Sequence, residues 1–188
     1  SRGLGDVYKR QVEDDTNVVD IGCSTGKMTQ QLLEENKDHS LEATYVGVEI
    51  AEGFFKDLDK RYKDIIKSNP WAQVEFIKDD IRNYEFRNCS LVTSIFTLQF
   101  MPKRYRKLVI KRIYDGLNCG GAYIFAEKTI CENALVQDMI TFNYYDYKKK
   151  SFTNDDIMDK EVKLRHMMKP NTWNEIQEMI IDAGFSVV

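Results

Sequence analysis

The stretch Val18-Val19-Asp20-Ile21-Gly22-Cys23-Ser24-Thr25-Gly26 decides the fold. It joins a short apolar run with one internal acid to a glycine, three small residues and a second glycine. The run reads as the end of a buried strand. Gly22 lets the chain turn sharply beneath a ligand, where a side chain would collide with it. Gly26 allows close approach at the start of the next helix. The spacing is not the dinucleotide fingerprint GxGxxG, because Ser24 and Lys27 stand where glycines are required. Nor is it the phosphate loop GxxxxGK[ST]: only three residues separate the glycines, and Met28 follows Lys27.

Outward from this loop, strand and helix signals alternate. Residues 17–21, 43–49, 72–78, 90–96 and 122–127 read as strands, several of them continuous apolar runs suited to burial on both faces. Residues 27–36, 51–67 and 104–117 read as helices, the last ended by Asn118-Cys119-Gly120-Gly121. The 130s to 160s read as helical and polar, with aromatics at Phe142, Tyr144, Tyr145 and Tyr147 beside Lys148, Lys149 and Lys150. A last helix spans 172–183, with Thr172 and Glu175 spaced as a capping box and Gly184 as its stop. A sixth strand is expected to open at 185–188. This order predicts an α/β fold with a mostly parallel sheet, helices on both faces, and an apparent truncation at its C-terminal edge. Residues 1–16 are expected to be a disordered or artefactual segment, and 17–188 the domain.

Composition excludes several classes. The chain is 43% hydrophobic and 30% charged, with 27 basic and 30 acidic residues and a formal net charge of -3. No large positive field favours direct nucleic-acid binding. No apolar run approaches the ~20 residues that span a bilayer. Cys23, Cys89, Cys119 and Cys131 form no CxxC pair, and His39 and His166 are the only histidines, so no metal site is expected. The reading is a cytoplasmic protein with reduced cysteines.

Two further acidic signals stand at strand ends. Glu49 closes the second strand, where a carboxylate can accept from both ribose hydroxyls of a nucleoside. Asp79-Asp80-Ile81-Arg82 follows the third, with a carboxylate and an apolar neighbour suited to an adenine ring. Open α/β sheets bind ligands at such strand ends.

The order VDIGCSTG, then Glu49, then DDIR resembles the class I S-adenosylmethionine-dependent methyltransferases, with their Rossmann-like fold. The resemblance assigns Asp20, Gly22, Cys23, Ser24 and Gly26 to the methionyl part, Glu49 with Ile50 to the ribose, and Asp80 with Ile81 to adenine. Cys23 is expected to be a pocket wall rather than a nucleophile. The closer similarity is to carboxy-S-adenosylmethionine synthases. It runs through Phe96-Thr97-Leu98-Gln99-Phe100, the segment from Ile113 to Ala122, Glu127-Lys128 and Ala183-Gly184-Phe185.

That family is understood to deprotonate the sulfonium methyl group and capture carbon dioxide released from prephenate. Its product, carboxy-S-adenosylmethionine, serves modification of a tRNA wobble uridine. The resemblance therefore implies a homodimeric enzyme that binds S-adenosylmethionine or its carboxy form and a small-molecule substrate. Ile95 is expected at the cofactor, and Phe96, Gln99 and Tyr145 on the substrate side. In the family an Asn stands at the position of Ile95 and an Arg at that of Glu161. A conventional small-molecule methyltransferase and a non-catalytic nucleoside-binding domain are the alternatives.

Overall fold

The computed structural model describes residues 12–36 and 42–186. Five parallel strands form the central sheet: β1 (Asn17–Ile21), β2 (Thr44–Glu49), β3 (Gln73–Lys78), β4 (Cys89–Ile95) and β5 (Leu117–Ala126), in the order β3-β2-β1-β4-β5. Each crossover carries a helix or a loop: α1 (Lys27–Asn36), α2 (Phe55–Ser68) after a 3-10 turn at Glu52–Phe54, and α3 (Lys103–Gly116) after a 3-10 turn at Leu98–Phe100. The chain then makes β6 (Thr129–Ile130), α4 (Ala134–Lys148), α5 (Asn154–Met167), β7 (Asn171–Thr172) and α6 (Trp173–Ala183). The strand order reverses between β1 and β4, so the loops after these two strands flank the crevice where such sheets bind ligands.

The two faces are buried by different helices. Leu33 of α1 and Ile65 of α2 join Val18, Tyr45, Val74 and Leu91 in one cluster. On the opposite face, Val109, Ile110 and Ile113 of α3 and Ile176, Ile180 and Ala183 of α6 pack on strand residues including Ile21, Val48 and Val92. Each fully buried aliphatic side chain of this kind contributes about 1.5–3 kcal/mol. Burial on both sides is why the strands read as apolar runs and not as alternating ones.

Several boundaries differ from the sequence expectation. β5 begins at Leu117, directly after α3. Cys89 pairs with Leu117 and Leu91 with Ala122, so residues 118–121 form a bulge within the strand instead of a free turn. β6 and β7 pair in parallel, Thr129 with Asn171 and Ile130 with Thr172, a contact the sequence did not announce. The expected 1–16 segment overlaps the fold: Val12 and Thr16 are buried, and the Thr16 hydroxyl donates to Ser90 Oγ at 2.7 Å. Residues 1–11 lie outside the described residues, as do 187–188 of the expected sixth strand. Phe185 and Ser186 are not in a strand. The capping box of α6 is formed, with Thr172 accepting from Glu175 N–H and the Glu175 side chain accepting from Thr172 N–H, and Gly184 ends the helix at φ 110°.

Candidate active site at the β1–β4 crevice

The glycine loop is held from both sides. Gly22 and Cys23 donate their N–H groups to Val48 O at 2.8 and 3.2 Å. Gly22, Ser24 and Gly26 all have positive φ, at 66°, 52° and 70°. A Cβ on Gly22 would stand 2.4 Å from Thr97 Oγ1, so only glycine fits there. Ser24 tolerates its left-handed backbone because its N–H donates to Glu49 Oε2 at 2.9 Å. The Cys23 thiol is buried against Gly47 of β2, and burial pushes its pKa far up. It offers the crevice its backbone, and the thiol stays protonated.

Asp20 sits beneath the loop at 2% exposure. Its two oxygens accept from the hydroxyls of Thr29 in α1 and Thr93 in β4, each at 2.9 Å. Burial raises its pKa to about 6 despite these bonds, with Glu49 adding to the rise.

Glu49 is 7% exposed. Besides Ser24, it accepts from the N–H groups of Ile50 and Ala51 at 2.9 and 2.8 Å. A carboxylate offers about four lone-pair sites. Three are taken here, which leaves one acceptor for a ligand hydroxyl and not the two that the sequence reading assigned. Ile50 beside it is exposed, and Ile81, after β3, is half-buried against the core. Asp80 accepts from Arg82 N–H at 2.9 Å and from the Arg82 guanidinium at 2.5–3.0 Å. Those bonds hold the Asp80 carboxyl below the ordinary carboxylate range.

The turn after β4 closes the other wall. Thr97 Oγ1 donates to Ile21 O at 3.0 Å, tying this turn to the end of β1. Phe96 is exposed with φ 55°, a strained backbone for an aromatic residue, held by its N–H to Ala126 O at 2.7 Å. Ile95 ends β4 half-buried.

Glu127 accepts from the N–H groups of Thr97, Leu98 and Gln99 at 3.1, 2.8 and 2.8 Å, and burial raises its pKa. Arg106 of α3, 1% exposed, donates to the carbonyls of Gln99 and Met101 and to Asn171 Oδ1. Sequence reading missed Arg106, because a charged residue in an amphipathic helix carries no sign that it is buried.

Gln99 is also placed differently from expectation. It is 6% exposed, its side-chain oxygen accepts from Lys128 N–H, and its carbonyl accepts from Lys169 N–H, both at 2.8 Å. It ties the start and the return of the α4–α5 segment. Tyr145 lies on α4, with its ring edge-on to Phe142 of the same helix. Glu161 of α5 pairs with Lys148 of α4 at 3.5 Å. Among the described residues no group of three His, Cys, Asp or Glu is placed to hold a metal ion. No helix among them is long and apolar enough to cross a membrane.

Comparison with known proteins agrees with this geometry. A family described as a methyltransferase domain matches residues 18–121. The carboxy-S-adenosyl-L-methionine synthase of Staphylococcus epidermidis is 32% identical over 177 residues, covering 93% of this chain and 72% of that protein. That of Shewanella oneidensis is 31% identical over 184 residues, covering 97% and 74%. Among solved structures, the cyclopropane synthase MmaA2 from Mycobacterium tuberculosis superposes with a TM-score of 0.68 at 12% identity, covering 98% of this chain and 60% of that one. A phosphoethanolamine N-methyltransferase 2 of Haemonchus contortus, in complex with S-adenosyl-L-methionine, gives 0.65 at 17% identity, covering 96% and 36%. These two likenesses show the fold. With its glycine loop, its strand order and its identity to the synthases, the chain belongs to the carboxy-S-adenosyl-L-methionine synthase family, within the class I methyltransferase superfamily.

Proposed function

We propose that this chain converts S-adenosylmethionine to carboxy-S-adenosylmethionine, with prephenate as carboxyl donor, as a supply for tRNA wobble-uridine modification. The observation that carries the reading is the Thr97–Ile21 hydrogen bond. It seats the Phe96–Phe100 turn, one of the stretches that resemble the synthases, directly against the glycine loop.

The residues fit the cofactor. The loop at Gly22–Gly26 offers a close backbone approach, Glu49 keeps one acceptor for a ribose hydroxyl, and Ile81, beside Asp80, offers an apolar edge to adenine. When bound, S-adenosylmethionine supplies a sulfonium-activated methyl carbon. Phe96, strained and exposed beside it, is the substrate-side wall. The four unpaired cysteines support a reducing, cytoplasmic setting.

The test is incubation with S-adenosylmethionine, with and without prephenate, followed by mass spectrometry of the nucleoside. The expected product carries one added carboxyl group and appears only with both substrates. Tight binding of S-adenosylmethionine without that product would sink the synthase reading. It would favour a conventional methyltransferase, which the Lys148–Glu161 pair supports: an acid stands where the resemblance implies an arginine, and Lys148 is paired with it.

A further inference from the structure

Four successive N–H groups of the turn after β4 point at two consecutive residues where β5 ends. Phe96 donates to Ala126 O at 2.7 Å. Thr97 and Leu98 donate to Glu127 Oε1 at 3.1 and 2.8 Å, and Gln99 donates to Glu127 Oε2 at 2.8 Å. The next residue returns the grip, with Lys128 N–H donating to Gln99 Oε1 at 2.8 Å. Both oxygens of Glu127 are thus engaged by backbone. Hydrogen bonds to an ionised acceptor are roughly twice as strong as neutral ones. Three of them to one side chain hold residues 97–99 as a unit. What this fixes is Phe96. Its φ of 55° is one that an aromatic residue keeps only where its surroundings impose it. Phe96 is 53% exposed, so packing of its ring does not impose it. The hold comes from its own N–H and from the three that follow. Thr97 meanwhile lies against the glycine loop, where a Cβ on Gly22 would meet its side chain and its hydroxyl donates to Ile21 O.

We propose that Glu127 is a positioning residue for the substrate side of the crevice. By gathering the N–H groups of residues 97–99 it keeps Phe96 left-handed, and so keeps the ring where a second substrate meets the activated carbon of the bound nucleoside. It acts through the turn and not on the reactants. This rests on the reading of the crevice as an S-adenosylmethionine site. The nucleoside half is built separately, on the Gly22–Gly26 loop and Glu49, whose bonds run to β2 and to each other. Removing the Glu127 carboxylate releases three N–H groups to water and lets Phe96 relax to negative φ, while the seat of the nucleoside stays. A misplacement of about 1 Å can cost on the order of a hundredfold in rate. The loss therefore falls on turnover and not on cofactor affinity.

In the experiment, para-fluorophenylalanine placed at position 96 reports the ring by fluorine NMR, and calorimetry with S-adenosylhomocysteine reports the nucleoside half. Turnover of S-adenosylmethionine with prephenate is measured on the unlabelled proteins. E127M, which removes both oxygens, is expected to shift the position-96 resonance, to cut turnover roughly tenfold or more, and to hold S-adenosylhomocysteine affinity within about threefold. E127Q, which keeps one acceptor oxygen, falls between E127M and the wild type in resonance and in turnover. A resonance that stays in place in both variants overturns the proposal. So does an affinity that falls in step with turnover, since Glu127 would then support the whole site. In the wild type, S-adenosylhomocysteine itself is expected to move the resonance. Binding without that movement places Phe96 away from the ligand and overturns the proposal even if neither variant folds. A wild type that binds S-adenosylhomocysteine yet forms no carboxylated nucleoside overturns the synthase reading alone, and the resonance and the affinity then decide this one. A wild type that does not bind it overturns both.

Discussion

Asp20 is buried with both oxygens engaged by threonine hydroxyls, and its pKa stands at about 6 against an ordinary 3.8. Between those values the folded protein keeps a proton that the unfolded chain has released. The group therefore favours the folded state most at pH below its unfolded value, and that contribution is lost as pH rises through about 6. The full effect is about 3 kcal/mol. Asp20→Asn removes the titration and keeps one of the two accepted bonds, the other surviving only with its direction reversed, from the amide N–H to a threonine hydroxyl oxygen. Urea midpoints should show its stability relative to wild type growing as pH rises from the acid side of the window to neutrality. A gap between the two proteins that stays flat across that range would show that Asp20 is not the titrating group. None of this was visible in the sequence. The resemblance places Asp20 in support of the glycine loop near the methionyl amine, but its hydroxyl partners come from α1 and β4 and meet only in the fold.

At the scale of elements, the turn after β4 is held by charges from two other elements. Glu127 covers the three N–H groups at its start, and Arg106 covers the carbonyls at its end. Arg106→Met leaves the Met101 carbonyl and Asn171 Oδ1 without their donor, while the Gln99 carbonyl keeps the Lys169 N–H. The expected cost is about 3 kcal/mol, read as a lower denaturant midpoint with an unchanged slope. Arg106→Lys recovers little, since an ammonium cannot span the carbonyls that the planar fork reaches.

The strands and helices around this turn were legible because their burial is written into local pattern: apolar runs at β1, β2 and β4, a 3.6-residue stripe on α2, a cap and a stop on α6. The Gly22 and Gly26 positions were legible because the backbone there excludes other residues. The β6–β7 pair was not, since two residues a strand carry no period. The burial of Gln99 was not legible, because an amide whose oxygen accepts from the distant Lys128 N–H looks, in sequence, like any polar residue beside a site.

Across the whole molecule, α4 stands apart. No residue of it is buried, and Leu135, Met139, Ile140 and Phe142 expose apolar side chains. Monomers rarely leave so much of one helix uncovered. We expect a second copy to cover it. Sedimentation should show a dimer, and Phe142→Asp should yield monomers with an unchanged circular dichroism spectrum. A monomeric wild type at micromolar concentration would argue against that assembly.

The parallel pairing of β6 with β7 sets the strand from which residues 131–170 depart beside the strand to which they return. Gln99 bonds the backbone at both ends as well. The segment is thus a cassette plugged into a closed socket. It can be exchanged or shortened across that doorway without opening the five-stranded sheet.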